Sequence, residues 1–136
     1  MGLFDRYPNL DAILILSAAF CIQFFAFSSA ANVYSKLLRE AGHGELGFQG
    51  LAALYMVFSL SCFFAPSVTS LMRPKRALQI SCSTYTIWIV SGFFATLSDE
   101  IPYYVVAILS LSGACCIGVG AAVLWVAQGK YMASCI

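Results

Sequence analysis

Charge is what this sequence has least of. Seven Lys/Arg, six Asp/Glu and one His are spread over 136 residues, so 10% of the chain is formally charged, where a soluble domain carries about a quarter. Long stretches hold no charge at all, and the mean hydropathy is +0.87. That combination excludes a water-soluble globule and puts the chain among membrane proteins, with the lipid bilayer as its first partner. The net charge of +1 and the dispersed Lys/Arg leave no basic footprint for nucleic acid.

Catalytic constellations are missing too. The acids all stand in links or at the ends of apolar runs, so no Ser-His-Asp, Cys-His or paired-carboxylate arrangement is available, and an enzyme is not expected. His43 is the sole histidine, between Gly42 and Gly44, with no second ligand near it in sequence. The six cysteines (21, 62, 82, 115, 116 and 135) have no metal-knuckle or disulfide-framework spacing and read as small packing residues. No catalytic residue, cofactor or metal is therefore expected. There is no Asn-x-Ser/Thr sequon, and Arg6 stands where a myristoylation signal needs Ser or Thr.

What is present is four charge-free runs: 12–33, 46–72, 77–98 and 101–128. Each is long enough to cross about 30 Å of hydrocarbon at 1.5 Å per residue. A backbone in lipid must satisfy its own hydrogen bonds, which predicts helices throughout and one transmembrane unit over residues 1–136. The first run follows Asp5, Arg6 and Asp11 rather than a positive n-region, so it reads as a retained span and not a signal peptide. Pro66 should kink the second span, with Ser67, Thr69 and Ser70 supplying hydroxyls to the disturbed backbone. Pro102 should lie in the first turn of the fourth.

Orientation follows from the cations. With a cytosolic N-terminus, that side holds Arg6, the turn Arg73, Lys75 and Arg76, and Lys130; the other side holds only Lys36 and Arg39. The positive-inside rule then puts both termini on the cytosolic side, or on the matrix-equivalent side of an organelle. Plasma, endomembrane and mitochondrial inner membranes all remain open.

No ionisable residue lies well inside a span, which disfavours a self-sufficient proton-coupled transporter, the small four-helix multidrug exporters included. Gln23, deep in the first run, either pairs across a helix interface or lines a wet cavity. In the fourth run Ser110, Ala114, Gly118 and Ala122 recur every four residues, a small-xxx-small stripe that admits a second helix at close range; Gly113, Gly120 and Ala121 broaden it. Trp125 and Tyr131 suit a membrane interface.

Three stretches together resemble one family. "GVGAAVLWVAQGKYM" (118–132) resembles the fourth-helix signature of the Unc-ninety-three-like branch of the major facilitator superfamily; "FFAFSSAANVYSKLL" (24–38) resembles the end of its first helix, and "LYMVFSLSCFFAPSVTSLMRPKRAL" (54–78) its second helix and basic turn. The resemblance implies an all-α transmembrane fold in which this chain is a four-helix portion of a twelve-span, two-bundle carrier-like structure. It also implies that the first and fourth helices line a central cavity, which nominates Gln23, Asn32, Trp125 and Gln128 as cavity or packing residues. In the turn "SLMRPKR", the resemblance puts Ser70 and Arg73 where conventional facilitators carry an acid and a glycine, so only the basic half, Lys75 and Arg76, is kept.

Alternating access needs two bundles rocking about a shared site, and four spans make about a third of that fold. The chain is thus expected to lean on missing helices or on other membrane protein chains. Unc-ninety-three-like proteins include regulators of channels and of receptor trafficking, so the family reading is a membrane regulator or transport-like protein. The alternative is a structural accessory subunit of a large multi-chain complex, such as an organellar energy-transducing assembly.

Overall fold

The computed structural model describes residues 9–97 and 101–135. Arg6, Asp5, Asp99 and Glu100, which entered the charge argument, lie outside the described residues. Five helices follow in order: α1 (Leu10–Glu40), α2 (Leu46–Ser61), α3 (Ala65–Leu71), α4 (Pro74–Leu97) and α5 (Tyr103–Ala133). No strand occurs among the described residues.

α1 and α5 are each 31 residues long and apolar enough to cross a membrane, and α2 with α3 forms a third such element bent by 67°. α4 is long enough to span at 24 residues, but it carries Lys75 and Arg76 in its first turn and a run of hydroxyls from Ser81 to Ser91. α5 is the hub. It packs most extensively on α4 and α2, and also meets α3. Half of its apolar stretch is buried, against 6% for α1, which leans on α2 and α4 from the outside.

α1 runs to Glu40, two turns beyond the expected end of the first span at Val33. Lys36 and Glu40 pair at 3.9 Å on adjacent turns, a modest support for a helix emerging from apolar surroundings. It stops in a Schellman turn: His43 N–H donates to Leu38 O at 2.9 Å and Gly42 N–H to Arg39 O at 3.1 Å, with Gly42 at φ +80°. Glycine takes that left-handed conformation without a Cβ clash. Arg39 and Glu45 then close the turn with a 2.6 Å exposed ion pair, and Gly47 lets α2 start against α1, since a Cβ there would lie 2.5 Å from Ser35 Cα.

The expected kink at Pro66 is a full break. Proline has no N–H for the Cys62 carbonyl, and its ring collides with that carbonyl in a continuous helix. The chain tightens to three-residue bonds first (Phe63 N–H to Leu60 O, 3.4 Å; Phe64 N–H to Ser61 O, 3.0 Å), and α3 restarts on Phe64 O. The Thr69 and Ser70 hydroxyls donate to Pro66 O and Ser67 O, at 3.1 and 2.6 Å. They reinforce α3 internally and do not serve Cys62. Arg73 O caps α4 by accepting the amides of Arg76 and Ala77. Pro102 is the N-cap of α5, one residue before its first turn.

Candidate functional site

Aromatic side chains hold α1 against the hub. Phe20, Phe27 and Tyr34 are seven residues apart and Phe24 lies between them, so all four share one stripe of α1. Phe24 meets Trp125 of α5 at 5.3 Å between centroids, Phe27 meets Tyr85 and Trp88 of α4 at 5.5 Å each, and Tyr34 meets Trp88 at 4.9 Å. Tyr34 is buried. Its hydroxyl and that of Ser110 share a hydrogen bond inside the protein. Glycines make its seat: a Cβ on Gly92 would lie 2.7 Å from the Tyr34 ring and one on Gly50 3.5 Å. Tyr34 lies one residue beyond the expected first span, 12–33, so the charge-free run alone does not point to this contact. The signal for it was the seven-residue repeat running on from Phe20 and Phe27.

Toward the other end of the bundle, α1, α4 and α5 line a cavity of about 530 Å³, with Phe20 and Gln23 contributed by α1, Gln79, Cys82 and Ser83 by α4, and Leu124 by α5. Two amides, a hydroxyl and a thiol in apolar walls offer hydrogen bonds to a neutral polar group. No carboxylate or cation among the described residues lines the cavity. Among the described residues no group of three His, Cys, Asp or Glu is placed to hold a metal.

The four nominated cavity residues do not converge. Gln23 lines this cavity, and Trp125, half exposed, covers Phe20 and Phe24 beside it. Asn32 follows Gln23 by nine residues, half a revolution out of phase at about 3.6 residues per turn. It lines a separate recess of about 330 Å³ with Ser35, Lys36, Arg39 and Phe48 between α1 and α2. Gln128 is half-buried and donates to the Met132 sulfur at 3.8 Å. Gln79 and Ser83 were not nominated; being an amide and a hydroxyl one turn apart in an apolar run, they carried a signal of the same kind as Gln23.

Ser110, Ala114, Gly118 and Ala122 are all buried. A Cβ on Gly118 would lie 2.8 Å from the Leu54 carbonyl oxygen and 3.0 Å from Val57 Cβ, so α5 receives α2 at Gly118, whereas Ser110 in the same line receives Tyr34 of α1. Gly113 and Gly120 face elsewhere. Their Cβ positions would run into the Ser91 and Thr84 hydroxyls of α4. The small surface expected as one broad face is therefore shared between α1 at Ser110, α2 at Gly118 and α4 at Gly113 and Gly120.

Arg73, Lys75 and Arg76 form a third feature. With Pro74, Tyr131 and Ser134 they surround a cavity of about 420 Å³, and Lys75 Nζ stands 6.0 Å from the Tyr131 ring centroid. Asn9 donates to Cys135 O at 2.8 Å, joining the two ends of the described chain.

A family profile described as "Ion channel regulatory protein UNC-93" matches residues 41–136. Protein unc-93 homolog A of Bos taurus is 32% identical over 125 residues, covering 91% of this chain and 24% of that protein. UNC93-like protein MFSD11 of Xenopus tropicalis is 33% identical over 122 residues, covering 87% and 25%. The putative potassium channel regulatory protein unc-93 of Caenorhabditis elegans is 29% identical over 124 residues, covering 90% and 16%. The chain thus spans a quarter or less of the length of these relatives, and no solved structure is a significant match. Carrying that family's profile along most of its length, this chain belongs to the UNC-93 family of membrane proteins.

Proposed function

We propose that the chain is a four-span portion of a major-facilitator-type bundle that acts in membrane regulation, by packing its helices against those of another membrane protein or of a larger carrier-like fold. The observation that carries this is the state of α1. It is a spanning-length helix with 6% of its apolar stretch buried, and Ile15, Ile22 and Phe25 are each at least 70% exposed. Lipid tails cover such a surface without a hydrophobic driving force, but a closely fitting helix gains packing contacts there. The described relatives are named as regulators or UNC93-like proteins rather than enzymes, and a chemical step has no part in the proposal. Potassium channel regulation, named for the nematode relative, supplies the partner class to test first.

In this reading the Arg73–Arg76 turn and both ends of the described chain face the cytosolic side, and the Gly42–Gly44 turn faces away. The support is the distribution of cations and the Asn9–Cys135 bond at one end of the bundle. A photo-crosslinking residue at Phe25, in cells co-expressing a potassium channel, should capture a membrane protein, whereas one at buried Ala122 should not. Capture of lipid alone at Phe25, with potassium currents unaltered by the chain, would sink the proposal. A glycosylation acceptor inserted at Gly44 should be modified, and one appended after Cys135 should not; the reverse pattern would overturn the orientation alone.

A further inference from the structure

The cavity at the Arg73–Arg76 turn has no part in the helix association just proposed. Three cations line it, and among the described residues no carboxylate pairs with any of them. Glu40 and Glu45 are held by Lys36 and Arg39 at the other turn. Arg73, Lys75 and Arg76 are all exposed, so their charges are not held apart by packing. The backbone contributes little here, since the Arg76 and Ala77 amides are already bonded to Arg73 O. Recognition must come from the side chains: two planar guanidinium groups and an ammonium, with the Ser134 hydroxyl beside them as a hydrogen-bonding group.

The helix that precedes this turn in sequence has an uncovered apolar side. Phe64, Val68 and Leu71, spaced four and three residues apart, lie along one side of α3 and are all exposed, Leu71 to 87%. That stripe ends two residues before Arg73. A cationic cavity of about 420 Å³, adjacent in sequence to an uncovered apolar ridge, matches the two halves of a phospholipid: a phosphate for the cations and acyl tails for the ridge. Tyr131, with its ring toward Lys75, is of the type that settles at headgroup depth.

We infer that Arg73, Lys75 and Arg76 bind the phosphate of an anionic phospholipid, whose tails lie along Phe64, Val68 and Leu71. The shared chemistry is a phosphate monoester or diester, and the apolar ridge selects the lipid-borne form over free phosphate. Lys130, whose ammonium donates to Pro66 O at 3.3 Å, is committed to α3 and takes no part in the phosphate site.

Native mass spectrometry of the full chain in neutral detergent tests this, with phosphatidic acid, phosphatidylcholine and inorganic phosphate as probes. Phosphatidic acid should be retained in preference to phosphatidylcholine, and inorganic phosphate should not displace it. Each basic residue near a membrane surface contributes about fivefold to binding. R73Q/K75Q/R76Q should therefore lose roughly a hundredfold in phosphatidic acid retention, and K75Q, which disturbs the turn least, about fivefold. K36Q, at the other end of the bundle, should retain the lipid as the unaltered chain does. Equal retention of the two lipids, displacement by inorganic phosphate, or K75Q binding with unchanged affinity would each overturn the inference. So would a loss in K36Q as large as in K75Q, because attraction would then be a matter of total charge.

Discussion

The hydroxyl of Tyr34 on α1 and that of Ser110 on α5 share a buried hydrogen bond across 76 residues of sequence. It joins the least buried spanning helix to the most buried one. Phe24 and Phe27 carry the neighbouring contacts, but Tyr34 alone combines ring packing with a polar tie.

Removing that tie and removing the ring should be separable. Tyr34→Phe keeps the ring against Trp88 and should cost about 1 kcal/mol of stability, the ordinary net value of one hydrogen bond. Tyr34→Ala also empties the seat and should cost about 3 kcal/mol or more. Ser110→Ala should behave as Tyr34→Phe, and the double variant should cost less than the sum. Denaturation in mixed micelles reads these differences. If Tyr34→Ala is no worse than Tyr34→Phe, the ring is not seated as described.

The two glycines around Tyr34 should respond differently to one added methyl group. At Gly92 it would lie 2.7 Å from the ring, too close without displacement, and Gly92→Ala should destabilise by roughly 1–3 kcal/mol. At Gly50 the distance is 3.5 Å, an ordinary contact, so Gly50→Ala should be close to neutral. Comparable losses at both positions would contradict the geometry.

A second pair of glycines tests the α2–α5 contact. Gly118→Ala meets the backbone of α2 at Leu54, which cannot swing aside as a side chain can. The helices must separate, and melting temperature should fall. Gly129, in the same helix, has nothing within 4 Å of its Cβ position. Gly129→Ala should be neutral or stabilising by up to about 1 kcal/mol through helix propensity. Equal effects would show that α5 responds to its own propensity and not to α2.

Much of this arrangement was legible in the residues. The charge-free runs mark the helices because hydrocarbon rejects charge, Pro66 marks the break because it lacks an N–H, and Gly118 stands where the α2 backbone comes close because it has no side chain. Family membership was legible as well, in the strings around Gly118–Met132 and Leu54–Leu78, and the comparisons bear it out. The site was legible only in part. Gln23 stood out as an amide in an apolar run, but its wall-mates Gln79 and Ser83 belong to a helix whose rotation about its own axis is set by packing.

The sequence by itself therefore determined local matters: membrane residence, helix content, the place of the bend and the end of the bundle that gathers cations. Each follows from a residue and its near neighbours. Only the tertiary structure decided which helix meets which part of α5, that α1 is held by Tyr34 while most of its surface stays uncovered, and that Gln79 and Ser83 share a cavity with Gln23. Those depend on contacts between segments far apart in sequence, where a rotation of one helix by half a turn exchanges its buried face for its exposed one, and no local rule prices that choice.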